Sequence, residues 1–119
     1  DADLYLLDEP SAYLDVEQRL NVSKVIRDFR DFTERTILVV DHDVVFIDYL
    51  SDRVIVFTGD PGREGLVNGP YDLEKGMNTF LGNLDITMRR DEESNRPRIN
   101  KRQSRKDRDQ RESGNLYYQ

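Results

Sequence analysis

The sequence predicts a mixed α/β fold built around a parallel sheet. Segments typical of strands and helices alternate through the first half of the chain, which is the rhythm of parallel strands joined by right-handed crossovers. The strand-like segments are short and continuously apolar, as expected where both faces of a sheet are buried. Acidic side chains follow directly after two of these strands, at the edge where open α/β sheets bind their ligands.

The elements of the first half follow from apolar spacing and from residues that start or stop a segment. The run LYLLD stops before Pro10, which cannot donate a hydrogen bond to a ladder. Asp15 is placed as the N-cap of a helix whose apolar residues repeat at helical spacing. In chain order the predicted elements are a strand over 4–8, a helix from Val16 to Phe32, a strand over 36–40, a helix over 44–50 and a strand over 53–57.

The second half begins with a segment rich in glycine and proline. Four glycines and two prolines lie between Thr58 and Pro70, which predicts a loop. A helix over 71–85 and a short extended stretch at ITM follow. Ser104 with Asp107 forms a possible capping box for a last short helix, and we expect the apolar residues of the closing NLYYQ to dock.

The charge of the chain is divided unevenly. Residues 1–88 carry 8 basic and 18 acidic side chains, whereas residues 89–119 carry 10 basic and 6 acidic ones. We therefore predict two parts, an acidic body over 1–88 and a basic C-terminal segment over 89–119. Such a segment predicts an acidic partner, in this molecule or in another.

Composition also bounds the class and source of the protein. No apolar run is long enough to cross a bilayer, no signal peptide opens the sequence, and the absence of cysteine is compatible with a reducing cytoplasm. Because strand residues begin almost at once after Asp1, we expect a piece of a longer chain. The 14 arginines, 4 lysines and 16 aspartates suggest a halophilic source, or else a GC-rich genome that favours arginine codons.

Adjacent carboxylates at the end of the first strand carry the chemistry. Asp8 and Glu9 point in different directions, so the first can hold Mg²⁺ through water while the second polarises an attacking water. Asp41 and His42 end the TILVV strand, so all four side chains converge if the strands are neighbours. This is the Walker B arrangement of P-loop ATPases, although a strand followed by an acidic turn is a common structural alternative.

The sequence lacks the other half of such a site. No lysine follows a glycine, so no Walker A motif is present, and no Gly-Gly pair offers a phosphate-contacting signature loop. We therefore expect the isolated chain to bind ATP weakly and not to hydrolyse it.

LLDEPSAYLD followed by a helix and VVDHD resembles the second half of an ABC-type nucleotide-binding domain. The resemblance implies a portion of that P-loop fold. It makes Asp8 the Walker B aspartate that binds Mg²⁺, Glu9 the catalytic glutamate and His42 the switch histidine. Ser11 and Asp15 become nucleotide-site residues of the D-loop, with Asp15 at a dimer interface.

Longer stretches resemble one ABC family in particular, the RNase L inhibitor family of ribosome-recycling ABC ATPases. The resemblance also implies an archaeal source for this chain. These stretches are SAYLDVEQRL, YLSDRVIVFTGDPG, GMNTFLGNLDITMRRD, RPRINKRQSRKDRDQ and GNLYY. They place the chain at the end of the second nucleotide-binding domain. Asp41 stands where many members have Glu, and Leu116 stands where an aromatic residue is usual.

The family resemblance implies partners as well as a reaction. In the family, two nucleotide-binding domains close on two ATP molecules and split ribosomes in company with a release factor. This chain would then meet the first nucleotide-binding domain and the small ribosomal subunit with its rRNA in the cytoplasm, with no membrane involved. Iron–sulfur clusters would lie only in an N-terminal domain outside this sequence.

The same resemblance implies that the basic segment contacts either the partner domain, as a hinge, or RNA. Arg96 and Arg98 around Pro97 look like a hinge that braces the partner domain. The candidates for rRNA phosphates are Lys101, Arg102, Arg105 and Lys106. The alternative is a solvated charged tail that Asp91, Glu92, Glu93 and Asp107 balance in part.

Two further interpretations stay open from the sequence. The core motifs also occur in the ATPase subunits of ABC transporters, although a basic hinge-like segment is not expected there. The missing Walker A motif also suits a truncated fragment that is not an enzyme by itself.

Overall fold

The computed structural model describes residues 1–118, which fold into two compact units, the first over Asp1–Ser51 and the second from Asp52 onwards. The elements in chain order are β1 Leu4–Asp8, α1 Val16–Thr33, β2 Thr36–Val40, α2 Val44–Leu50, β3 Arg53–Asp60, β4 Glu64–Asp72, α3 Leu73–Leu84, β5 Met88–Arg90, β6 Pro97–Ile99 and α4 Arg105–Ser113. The division after Ser51 reflects contacts within the fold. The boundary after residue 88, inferred from charge, stays a prediction.

The first unit contains the predicted parallel pair. β1 and β2 run in register from Leu4 opposite Thr36 to Asp8 opposite Val40. The predicted helices are also present as α1 and α2. Asp15 caps α1 in a reciprocal capping box with Gln18, which satisfies backbone donors that a helix start leaves unpaired.

The sheet of the first unit is more exposed than the sequence predicts. Tyr5, on one face, meets Phe29 of α1 edge to face at 5.0 Å. The other face remains open, because among residues 1–118 no third strand joins the pair and no helix covers that side. Its exposed apolar side chains are Leu4, Leu6, Leu38 and Val40. The expectation that both strands are buried on two faces is therefore wrong for this chain.

The second unit opens with an antiparallel hairpin, which corrects two predictions. β3 does not extend the parallel sheet but pairs with β4, and most of the predicted loop from Thr58 to Pro70 belongs to these strands. Only residues 61–63 form the turn. Gly59 pairs with Gly65 inside the ladder, and Asn68 donates to Thr58 Oγ1 at 3.0 Å. Glycines that signal a loop are thus accommodated within paired strands.

The rest of the second unit surrounds a small apolar core. Asp72 caps α3, whose Met77 and Leu81 are fully buried together with Met88 of β5. Tyr117 and Tyr118 are also buried, so the predicted docking of the closing segment is confirmed up to residue 118, and Gln119 lies outside the described residues. No helix within residues 1–118 is both long and apolar enough to span a membrane.

The capping box predicted for the last helix forms only in part. Ser104 caps α4 by accepting from the Asp107 N–H at 3.2 Å. The Asp107 carboxylate does not return this bond. It accepts instead from the Gln103 N–H at 2.9 Å and from the buried Thr87 hydroxyl at 2.6 Å. A long-range partner therefore takes the carboxylate away from the local motif.

Candidate functional site

The candidate site lies at the carboxyl edge of the parallel pair in the first unit. The ladder continues one residue beyond β1, where the Glu9 N–H donates to the Val40 carbonyl at 2.7 Å. Glu9 then adopts a left-handed backbone with φ of 48°, which non-glycine residues rarely do. The chain therefore leaves the sheet sharply at Glu9, and the next residues of both strands meet at this edge.

The edge brings Glu9 and His42 together, as the sequence predicts for neighbouring strands. His42 Nδ1 lies 3.4 Å from Glu9 Oε1, and the side chains are 80% and 55% exposed. An accessible carboxylate beside an imidazole can orient a water molecule and accept its proton. Their roles as catalytic residues remain predictions.

Asp41 joins the two loops that carry this pair. Its Oδ1 accepts from the Ser11 hydroxyl at 2.8 Å and from the Asp43 N–H at 3.0 Å, while its Oδ2 accepts from the Ser11 N–H at 3.1 Å. Partial burial raises the pKa of Asp41, but the bonds from Asp43 and Ser11 outweigh it, so the pKa lies below its usual value. Asp41 is therefore ionised at neutral pH.

The D-loop residues have local partners within this chain. Ser11 is buried, and its hydroxyl donates a hydrogen bond to the Asp41 carboxylate. Asp15 accepts from the Gln18 N–H at 2.8 Å as the cap of α1. Tyr13 lies between them with φ of 63° and a fully exposed side chain. The structure thus gives Ser11 and Asp15 structural partners, and their predicted nucleotide contacts stay predictions.

A metal site would rest on Asp8. This residue ends β1 with an exposed side chain, and a carboxylate oxygen is a ligand that Mg²⁺ accepts. Within residues 1–118 no three metal-binding side chains gather closely enough to hold an ion by themselves. A single carboxylate fits Mg²⁺, because this ion keeps several waters and takes other ligands from phosphates.

Sequence reasoning missed the part that Asp43 plays. Its carboxylate caps α2 by accepting from the Phe46 N–H at 2.8 Å, and it also contacts the Arg19 guanidinium of α1. An aspartate before an apolar helical run is a capping signal that could have been used. Nothing in the sequence indicates the contact with Arg19, because the two residues are distant along the chain.

The basic segment is folded and partly neutralised within the second unit. Four of its predicted contact residues approach carboxylates, namely Arg98 near Asp91 at 3.3 Å, Arg102 near Asp85 at 2.9 Å, Arg105 near Asp109 at 3.9 Å and Lys106 near Glu92 at 2.8 Å. Arg96 and Lys101 are exposed and approach no carboxylate in the part of the chain that is described. Exposed pairs of this kind are weak, so these cations remain available to a partner.

A polar network centred on the buried Asp107 carboxylate fixes α4 to the rest of this unit. Arg111 donates to both Asp107, at 3.1 Å, and Asp85, at 2.5 Å. Donation from the Thr87 hydroxyl, then from the Gln103 N–H and Arg111, holds the pKa of Asp107 at about 2. The basic segment is therefore anchored at α4 by Asp85 and Thr87, which precede that segment in the chain.

Comparison with known proteins gives consistent relatives. No family model matches. An uncharacterized ABC transporter ATP-binding protein of Methanocaldococcus jannaschii is 57% identical over 118 residues, covering 99% of this chain and 20% of that protein. Translation initiation factor rli1 of Schizosaccharomyces pombe is 53% identical, with coverage of 98% and 20%. An aliphatic sulfonates import ATP-binding protein of Bacillus cereus is 31% identical over 67% of this chain and 33% of its own length.

Solved structures agree with these relatives. The archaeal ribosome recycling factor aABCE1, in complex with the ribosomal stalk protein aP1, has a TM-score of 0.92 and 57% identity over all of this chain and 23% of its own. A structure described as RNase-L Inhibitor has a TM-score of 0.91 and 58% identity, with coverage of 99% and 23%. A structure of ribosome-bound archaeal Pelota and ABCE1 has a TM-score of 0.94 and 59% identity, with coverage of 100% and 20%. The chain thus spans about a fifth of the length of the relatives that match it most fully.

Proposed function

The chain belongs to the RNase L inhibitor family of ABC ATPases, whose C-terminal region it matches, and we propose that it supplies half of an ATP-hydrolysing site. In this proposal Glu9 accepts a proton from the attacking water, His42 contacts the γ-phosphate and Asp8 holds Mg²⁺ through water. When bound, Mg²⁺ would neutralise part of the negative charge of the phosphates at this edge. The phosphate-binding loop comes from a part of the protein outside this sequence.

The observation that carries the proposal is the distance of 3.4 Å between Glu9 Oε1 and His42 Nδ1. These two groups come from different strands, and both remain exposed at the edge where α/β folds bind ligands. A general base must lie within reach of the proton that it takes and must be open to water. Two features support Glu9 as that base, since its carboxylate lies beside His42 and more than half of its side chain is exposed.

The partners form the second part of the proposal. Relatives carry names that refer to translation initiation, ribosome recycling, a ribosomal stalk protein and Pelota. We propose that the intact protein splits ribosomes in the cytoplasm, binding the small subunit and a release factor, and that its first nucleotide-binding domain closes on this chain. From the resemblance alone we also propose iron–sulfur clusters in an N-terminal domain, which visible absorbance of the intact protein tests.

The basic segment favours this function over that of a transporter ATPase. The match to the initiation factor covers 98% of the chain and includes that segment, whereas the match to the sulfonate importer covers 67%. We propose that Arg96 and Arg98 brace the partner domain. We propose that four other side chains contact rRNA phosphates, namely Lys101, Arg102, Arg105 and Lys106.

The test replaces Glu9 in the intact protein. Glu9→Gln keeps the shape of the side chain but removes the base, so ATP binding stays nearly unchanged while turnover falls by roughly 100-fold or more. Glu17→Gln is the matched control, because Glu17 is an exposed glutamate in the first turn of α1. Turnover by Glu9→Gln at the wild-type rate would show that another group is the base.

A further inference from the structure

We propose that Asp41 is a positioning residue, whose carboxylate holds the loop that carries Glu9 in register with the loop that carries His42. The inference rests on the function proposed above and assigns a role to a side chain that the proposed reaction does not otherwise use. Three hydrogen bonds, the burial of Ser11 and the exposure of the reacting pair support it.

The first step concerns what holds Glu9 and His42 in place. Both side chains are more than half exposed, so packing does not fix them. The last ladder bond between the strands is the one from the Glu9 N–H to the Val40 carbonyl. Beyond that bond no backbone-to-backbone hydrogen bond joins the two loops in the described residues. The spacing of the two side chains therefore depends on whatever joins the loops after the ladder ends.

The second step is that Asp41 supplies this joint. Two of its three bonds come from Ser11 in the loop after β1, and the third comes from Asp43 in its own loop. Ser11 lies two residues after Glu9, and Asp43 lies one residue after His42. The carboxylate thus forms hydrogen bonds with both loops, within two residues of each reacting side chain.

The third step is that the joint is rigid and linked to the helices. Ser11 is only 2% exposed, so its N–H and hydroxyl cannot turn to solvent if Asp41 is replaced. Asp43 in turn caps α2 and contacts Arg19 of α1. Displacement of Asp41 would therefore let the two loops shift relative to each other while the helices stay in place.

The chemistry of the side chain decides the substitution. In Asp41→Asn, one carboxylate oxygen becomes an amide nitrogen, which is a donor and cannot accept from Ser11 or Asp43. Whichever way the amide turns, at least one of the present donors loses its acceptor. Asp41→Glu keeps two acceptor oxygens and the negative charge, and its longer side chain still reaches the loop after β1.

The experiment measures kcat and KM for ATP in the intact protein. We expect Asp41→Asn to lower kcat by roughly 10- to 100-fold, as for a small displacement of reacting groups. KM should stay within about twofold, since a defect confined to the transition state leaves substrate binding unchanged. Asp41→Glu should restore kcat to within about threefold of wild type. Asp28→Asn, an exposed aspartate on α1, is the control and should change neither constant.

A double-mutant cycle with Ser11→Ala tests the joint itself. Ser11→Ala removes only the hydroxyl bond, so we expect a smaller decrease of kcat and no further decrease when it is added to Asp41→Asn. Decreases that multiply would mean that the two residues act independently, and wild-type kcat in Asp41→Asn would mean that Asp41 positions nothing. A rise of KM with unchanged kcat would also overturn the proposal.

The outcome for Glu9→Gln separates the two proposals. If Glu9→Gln is inactive while Asp41→Asn turns over normally, the positioning role fails and the proposed function stands. If Glu9→Gln turns over at the wild-type rate, the proposed function fails whatever Asp41 does.

Discussion

Two glycines of α3 predict opposite effects of the same substitution. A Cβ added at Gly76 would lie 2.6 Å from Val54 Cβ and 3.2 Å from Val54 Cγ1, so α3 and β3 would have to separate. A Cβ added at Gly82 would find only Leu116 Cδ1 within 4 Å, at 3.7 Å, which is ordinary van der Waals contact. Gly82→Ala is therefore the matched control for Gly76→Ala.

The magnitudes follow from two opposing terms. Replacement of glycine by alanine within a helix stabilises it by up to about 1 kcal/mol, because the unfolded chain loses freedom. Overpacking a well-filled contact costs about 1–3 kcal/mol. Gly76→Ala should thus lower the local stability of α3 by up to about 2 kcal/mol, whereas Gly82→Ala should raise it by up to about 1 kcal/mol.

Amide hydrogen exchange of the α3 segment in the intact protein measures this difference. Each 1.4 kcal/mol or so changes the opening equilibrium about tenfold. We therefore expect faster exchange for Gly76→Ala and slower exchange for Gly82→Ala than for wild type. Exchange of Gly76→Ala as slow as that of Gly82→Ala would refute the close packing of α3 on β3.

Three further predictions concern the second unit. Because the pKa of Asp107 is held at about 2 in the folded state, below the usual 3.8, its stabilising effect is complete above about pH 4 and disappears as the pH falls towards 2. Asp107→Asn should weaken that acid dependence in hydrogen exchange of α4, whereas Asp109→Asn, exposed on the same helix, should not. For the basic segment, removing one cation that binds an rRNA phosphate should reduce the slope of log affinity against log salt by roughly 0.7–0.9, so Lys101→Ala should flatten the salt dependence of small-subunit binding. An unchanged slope would mean that Lys101 does not contact rRNA. If Arg96 braces the partner domain, Arg96→Ala should lower ATP turnover even without ribosomes.

The sequence predicts those parts of the fold that depend on neighbouring residues. The strands at 4–8 and 36–40 and the helices between and after them appear where apolar spacing places them. The cap at Asp15 also forms, because its partner Gln18 is three residues away. In the site, the meeting of Glu9 with His42 follows from two strands of known direction lying side by side.

The failures lie where distant residues decide the outcome. β3 and β4 contain Gly59, Gly65, Gly69 and Pro70, which indicate a loop, and only pairing across the hairpin makes these segments strands. The Asp107 carboxylate leaves the expected capping box for Thr87, twenty residues earlier in the chain. The bonds from Ser11 to Asp41 likewise span thirty residues, so no local pattern indicates that Asp41 joins the two loops.

The most direct test of the catalytic pair is a kinetic cycle on Glu9 and His42 in the intact protein. ATP turnover is measured for Glu9→Gln, for His42→Ala and for the double variant. If the two side chains act together at 3.4 Å, each single change slows turnover strongly and the double variant is about as slow as the slower single one. Independent decreases that multiply, or a single variant that retains wild-type turnover, would contradict a shared role for this pair.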